Sequence, residues 1–313
     1  MKKILSIASA VILFIVFVMS AVFFLSQSGL KNITPEICIA SGGSSVEIAK
    51  GKVCYYLKGP EKGDLVVLVH GFSTPKFVFD KSADSLTSAG FRVLAFDHFG
   101  RGFSDRPKAK YDKDFFDTEL LELLKALNIR KPVYLAGYSL GGGVVAVFAS
   151  RHPEMVKKIA LIAPLGYRPP HTGMNAILMI PVLGDWIMAV FGRQSMISYM
   201  KKEADAGIAS QKMLKLYVQQ FDYKGITGAL LSTLRNFPFG ELDSEYKKVG
   251  ALGLPVLLIW GEKDDFVPFQ GHKKISAAVQ GVKFIPVKGA DHAVTYSHAE
   301  IVNRELIDFF TRK

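Results

Sequence analysis

Three short stretches, far apart in the chain, carry residue types suited to acyl transfer. In Gly137-Tyr138-Ser139-Leu140-Gly141 a serine sits between two glycines. The apolar run before it, 133–136, reads as a buried strand, and the small and aliphatic residues 142–149 read as a helix packed close to a sheet. Reversing from strand to helix in so few residues forces a strained, left-handed-like backbone on the serine, and the flanking glycines leave room for the crowded main chain. Ser139 Oγ then stands clear of the sheet, and the helix N-terminus aims its unpaired N–H groups at whatever binds there. Serine attacks a carbonyl only when a base takes its proton. His292 lies just past the last apolar strand, 282–287. Asp264 and its neighbour Asp265 lie just past the strand 255–260, where a carboxylate can reach back to an imidazole. Serine, acid, histidine is the chain order of a strand-turn-helix nucleophile. His298 is the second choice of base. His70-Gly71-Phe72 follows the apolar run 65–69, and the Phe72 and Leu140 N–H groups are candidate donors to an oxyanion.

The elements that must position these residues are legible as alternating strands and helices. Apolar runs at 65–69, 91–96, 133–136, 159–163, 255–260 and 282–287 are separated by helical patterns at 77–89 and 112–127, and a helix at 301–310 closes the chain. This rhythm predicts an α/β fold with a doubly wound, mostly parallel sheet. Segments 33–40, 45–50 and 52–56 alternate weakly and predict antiparallel edge strands. The loop Asp97-His98-Phe99-Gly100-Arg101-Gly102 borders the predicted pocket, with Asp97 and Arg101 as structural supports. The rhythm stops after Pro164. From Pro169-Pro170 the chain is rich in Met and bulky apolar residues, with helical patterns at 195–206, 211–221 and 227–235.

Composition narrows the function classes. The chain has 313 residues and a formal net charge of +11, but Lys and Arg are scattered, with no dense basic run of the kind that grips nucleic acid. Attraction to an anionic membrane surface fits the charge better. Residues 4–25 form an uncharged, mostly apolar run behind Lys2 and Lys3, long enough to span a bilayer as a helix. The two lysines predict a cytoplasmic start with the remainder translocated. A cleaved signal ending near Ser26-Gln27-Ser28 is the alternative, and either one places the catalytic part outside the cytoplasm. The only cysteines, Cys38 and Cys54, are free to bond in an oxidising compartment. Histidines 98, 152, 171, 272 and 298 read as structural or surface groups.

Taken together, His70-Gly71-Phe72, Asp97-x-x-Gly100-x-Gly102-x-Ser104, Gly137-x-Ser139-x-Gly141-Gly142, Gly261-Glu262-Lys263-Asp264 with Val267-Pro268, and Gly289-Ala290-Asp291-His292 resemble the α/β-hydrolase superfamily over about residues 45–311. The chain is similar to its esterase and monoacylglycerol-lipase-like branch, some members of which are membrane-anchored. The resemblance implies an α/β-hydrolase core at 31–164 and 251–313, a helical cap at 165–250, and an N-terminal segment at 1–30. It implies Ser139, Asp264 and His292 as catalytic residues, since the acid stands three residues after Gly261, with Phe72 and Leu140 forming the oxyanion hole. No metal or organic cofactor is needed. The implied substrate is an apolar acyl ester or a monoacylglycerol-like lipid. A serine C–C hydrolase of ring-cleavage products is the alternative enzyme, and a non-catalytic binding protein on the same fold is the alternative class.

Overall fold

Eight strands make one sheet in the order β1-β2-β4-β3-β5-β6-β7-β8, in a computed structural model that describes residues 2–167 and 174–312. The first helix, α1 (Lys2–Gln27), leads to a short α2 (Pro35–Ala40) and then to β1 (Ser44–Ile48) and β2 (Gly51–Lys58). Both β1–β2 and β2–β4 are antiparallel, and every pairing after them is parallel. The remaining strands are β3 (Leu65–Val69), β4 (Arg92–Phe96), β5 (Val133–Tyr138), β6 (Val156–Ile162), β7 (Val256–Gly261) and β8 (Lys283–Val287). All six residues of β5 are buried, as a central parallel strand covered on both faces requires.

One sequence expectation is corrected at the edge. Residues 33–40 do not form a strand. Pro35 fixes φ at the first turn of α2, Glu36 follows it, and a disulfide from Cys38 to Cys54 on β2 ties the helix to the sheet. Alternating polarity over so few residues could not separate a half-buried strand from one turn and a half of helix.

Helix α3 (Asp80–Ser88) and α4 (Lys113–Ala126) fall where the sequence predicts them. The Asp112 carboxylate caps α4 by accepting from the Asp114 and Phe115 N–H groups, an arrangement worth about 1 kcal/mol. Phe116, Leu120, Leu123 and Leu124 are fully buried, each contributing roughly 1.5–3 kcal/mol. After β5 comes α5 (Leu140–Arg151), the helix behind Ser139, which packs against α4.

The segment between β6 and β7 is helical. It runs through α6 (Met174–Leu178), α7 (Leu183–Ile187), a π-helical turn at Met188–Gly192, α8 (Arg193–Asp205), α9 (Gln211–Gln219), α10 (Ile226–Asn236) and α11 (Asp243–Ala251). Pro169, Pro170 and His171 lie outside the described residues. Helix α11 packs on α5, with Tyr246 and Val249 buried. The chain closes with α12 (Gly271–Ala278), the short α13 (Val294–Ser297) and α14 (Ala299–Thr311), and α14 packs on α3.

Residues Ile7–Gln27 of α1 are long and apolar enough to cross a membrane. The second half of α1 meets the helical segment: Trp186 Nε1 donates to the Met19 carbonyl at 2.9 Å, and Gln27 Nε2 to the Ala189 carbonyl at 3.3 Å.

Candidate active site

Ser139 sits at the carboxyl end of β5 with φ 55° and ψ −117°, a conformation that costs a non-glycine residue about 1–3 kcal/mol. The surroundings enforce it. The Ser139 N–H donates to the Ile162 carbonyl at 2.9 Å, and its own carbonyl accepts from the Leu165 N–H at 2.9 Å. The two glycines are sterically required: a Cβ on Gly137 would lie 2.3 Å from the Gly141 carbonyl oxygen, and one on Gly141 would lie 2.0 Å from that of Val69. Strand β5 can therefore turn into α5 only with glycine at both places.

The turn brings Ser139 to His292. Their Oγ and Nε2 are 3.0 Å apart, with the hydroxyl placed to donate. On the other side of the ring, Nδ1–H donates to Asp264 Oδ2 at 2.7 Å. Asp264 is 2% exposed, and three further donors hold its carboxylate. Oδ1 accepts from the N–H groups of Phe266 and Val267, at 3.0 and 2.8 Å, and Oδ2 from Trp260 Nε1 at 3.1 Å. Each residue stands where a strand ends: Ser139 after β5, Asp264 after β7, His292 after β8. Asp265 is exposed, and the His298 Nδ1 pairs with Ser297 Oγ. An imidazole held between a carboxylate and a hydroxyl can accept the hydroxyl proton and bear the resulting charge.

The loop after β3 lies against the serine, with the Cβ position of Gly71 3.2 Å from Ser139 Cβ. Leu140 opens α5, where a helix leaves its first N–H groups without intrahelical partners. Phe72 is positioned from behind by Arg101, whose Nε donates to the Phe72 carbonyl at 2.9 Å and whose Nη2 donates to Thr233 Oγ1 on α10 at 2.6 Å. Arg101 is fully buried against the rings of Phe72, Tyr111 and Phe116, and burial lowers its pKa to about 10. Asp97 does not pair with it. The Asp97 carboxylate instead takes the Lys76 ammonium at 2.7 Å and the N–H groups of Lys76 and Phe103.

A second buried polar chain supports the same loops. His70 Nδ1–H donates to the Gly71 carbonyl and its Nε2 accepts from the His98 N–H, both at 2.8 Å. His98 Nδ1 lies 2.5 Å from Glu119 Oε2. Burial pushes Glu119 up to about 8 and His98 down to about 3, and burial also holds His70 well below its ordinary value. The neutral imidazoles and the protonated carboxyl fit this dry setting.

The cavity over Ser139 measures about 260 Å³. Leu178, Met188, Leu230, Leu234 and Phe239 give it an apolar side. Tyr199 and Tyr296 line it together with His292, and Tyr296 Oη donates to the buried Glu203. Sequence reasoning missed Tyr199, Tyr296 and Glu203. Their one signal was the i, i+4 spacing of Tyr199 and Glu203, which is common on exposed helices.

Residues 64–299 match the family profile described as the alpha/beta hydrolase fold. A 2-hydroxy-6-oxononadienedioate/2-hydroxy-6-oxononatrienedioate hydrolase of Klebsiella pneumoniae subsp. pneumoniae is 26% identical over 270 residues, 80% of this chain and 88% of that protein. A non-heme chloroperoxidase of Streptomyces lividans is 24% identical over 261 residues, 80% and 93% of the two chains. The crystal structure of a membrane phospholipase A, described as a bacterial virulence factor, superposes with a TM-score of 0.67 at 22% identity, covering 98% of this chain and 95% of its own. The match over three quarters of the chain, on a sheet of this order, makes the protein a member of the alpha/beta hydrolase family.

Proposed function

We propose that the protein is a serine hydrolase of carboxylic esters with apolar acyl chains, working through an acyl-enzyme. The observation that carries this reading is the Asp264–His292–Ser139 hydrogen-bond chain opening into a cavity with an apolar wall. As Ser139 Oγ attacks the ester carbonyl, its proton passes to His292 Nε2, and Asp264 balances the imidazolium. The N–H groups of Leu140 and Phe72 take the charge on the carbonyl oxygen, each worth roughly 3 kcal/mol in the transition state. Collapse breaks the C–O bond, and the Nε2 proton goes to the departing alcohol. Water then gives its proton to His292 and attacks the acyl carbonyl, which returns Ser139 and releases the acid.

A ring-cleavage C–C hydrolase would use the same three residues, and the Klebsiella relative is named for that chemistry. Its dioate substrate brings two carboxylates, and burying each without a cation costs several kcal/mol. Among the described residues lining the cavity none is Lys or Arg. This favours the ester reading.

We further read α1 as a membrane anchor, with the catalytic part outside the cytoplasm and α6–α10 as a cap. The membrane phospholipase A superposes on nearly the whole chain, the N-terminal helix included. Met19 and Gln27, which touch the cap, are separated by about 12 Å along α1. With α1 in a bilayer, exposed Ile180, Val182 and Phe191 on the cap lie at its surface.

The test is labelling by a fluorophosphonate together with hydrolysis of p-nitrophenyl esters of increasing chain length. Wild-type protein is expected to label at Ser139 and to prefer medium or long chains, and Ser139→Ala to lose both. Turnover retained by Ser139→Ala removes Ser139 as nucleophile.

A further inference from the structure

The cavity lining is mixed, with tyrosines beside apolar residues, and the mechanism says which half of an ester meets the His292 end. His292 Nε2 must protonate the departing oxygen, so the alcohol lies on the side of His292. Tyr296 stands four residues beyond His292, in the short helix α13, and Tyr199 lines the same cavity from α8. Tyr296 Oη donates to Glu203 Oε2 at 2.5 Å, and Tyr199, one turn from Glu203 on α8, lines the same cavity. Tyr138 Oη donates to the His292 carbonyl at 2.9 Å. Glu203 itself is only 7% exposed, and among the described residues no Lys or Arg forms an ion pair with it.

These contacts commit the phenol protons of Tyr296 and Tyr138. What Tyr296 has left to offer the cavity is its oxygen lone pairs, with the buried Glu203 carboxylate behind it, and the Tyr199 oxygen can accept beside it. Such a wall accepts hydrogen bonds and repels anions. A ligand group that fits it must donate, and a cationic donor gains additionally from the aromatic rings.

We propose that Tyr199, Tyr296 and Glu203 form the subsite for the alcohol half of the ester, and that it takes an alcohol bearing hydroxyl or ammonium donors and excludes an anionic one. The proposal rests on Ser139 being the nucleophile. Tyr199 and Tyr296 would touch the alcohol, and Glu203 would act through them as a positioning residue.

The experiment uses the full chain in detergent and four decanoate esters that share one acyl group: glyceryl, choline, methyl and carboxymethyl. Rates are expressed per molecule labelled by a fluorophosphonate at Ser139, so misfolded protein does not count. For the wild type, kcat/KM for the glyceryl or the choline ester is expected to exceed that for the methyl ester by roughly tenfold or more, with the carboxymethyl ester slowest. A larger value for glyceryl identifies hydroxyl donors as the ligand chemistry, and a larger value for choline identifies ammonium. Tyr199→Phe should cut the ratio of donor-bearing to methyl ester by about tenfold, mainly through KM. Glu203→Gln, of the same shape but without charge, should relieve the discrimination against the carboxymethyl ester. Ratios that stay at the wild-type value in both variants, or a labelled wild type that turns over all four esters equally, overturn the subsite alone. A wild type that neither labels nor hydrolyses any ester sinks the Ser139 reading, and the subsite with it.

Discussion

Replacing Asp264 by asparagine alters one atom and isolates the orienting carboxylate. The structure supplies four donors to this group: the Phe266 and Val267 N–H groups at Oδ1, and Trp260 Nε1 and His292 Nδ1 at Oδ2. An amide has one acceptor oxygen, so in either orientation its NH2 confronts two N–H donors. Keeping the oxygen on the two backbone groups is cheaper, because Trp260 Nε1 also donates to the Val267 carbonyl at 3.1 Å. The NH2 then faces His292 and drives the ring to the tautomer with a bare Nδ1. Nε2 now carries a hydrogen and cannot take the proton of Ser139. Turnover should fall roughly 10³–10⁴-fold. The disturbed donors cost about 2 kcal/mol, or roughly 4–8 °C of melting temperature in a chain of this size. The assay is p-nitrophenyl ester hydrolysis beside the rate of fluorophosphonate labelling and a thermal melt, with Asp265→Asn as a control expected to stay within about twofold of wild type, its side chain being exposed. An Asp264→Asn protein within tenfold of wild-type turnover would refute the reasoning.

Serine at Cys38 and Cys54 opens a loop closed by residues 16 apart and should cost about 3 kcal/mol, read from denaturant unfolding of oxidised and variant protein; equal midpoints would show that the bridge does not constrain the unfolded chain. Gly141→Ala places a methyl 2.0 Å from a backbone oxygen and is expected to lose at least about 3 kcal/mol or to prevent folding, so an alanine variant of wild-type stability would contradict the turn geometry. Stability should peak near pH 6.5. Below that, unfolded His70 binds a proton that its buried, pKa-lowered folded form refuses, so stability falls by about 1.4 kcal/mol per unit as the pH drops. The His98–Glu119 pair is silent there, since it holds one proton in either state. Above pH 6.5 the unfolded pair has lost its proton while the folded Glu119 keeps it up to about 8, so stability declines again. Melting temperatures rising steadily from pH 5 to 9 would rule this out.

Much of the fold was legible because it rests on local signals. The runs at 65–69 and 133–136 are continuous and apolar, as strands buried on both faces must be, and they became β3 and β5. Asp112 before an amphipathic run marked the start of α4 within one residue. The strained serine was readable because only glycine tolerates the approaches at Gly137 and Gly141. What was not legible depends on contacts across the chain. Cys38 sits in a helix because Pro35 starts one and a disulfide holds it, and no alternation of polarity reports that. Asp97 and Arg101 are close in sequence, yet the structure gives Asp97 to Lys76 and Arg101 to the Phe72 carbonyl. The Tyr296–Glu203 contact joins residues 93 apart, and only the tertiary fold brings them together.

The placement of α1 gives the apolar wall a direction. Met188 lines the cavity, and the next residue, Ala189, accepts a hydrogen bond from Gln27 of α1. Trp186, two residues earlier, holds the Met19 carbonyl. One short π-helical turn is thus the cavity wall on one face and the seat of the hydrophobic helix on the other. The physical case for an apolar acyl group therefore comes less from the residues that react than from the apolar residues that line the cavity beside Ser139, Met188 among them.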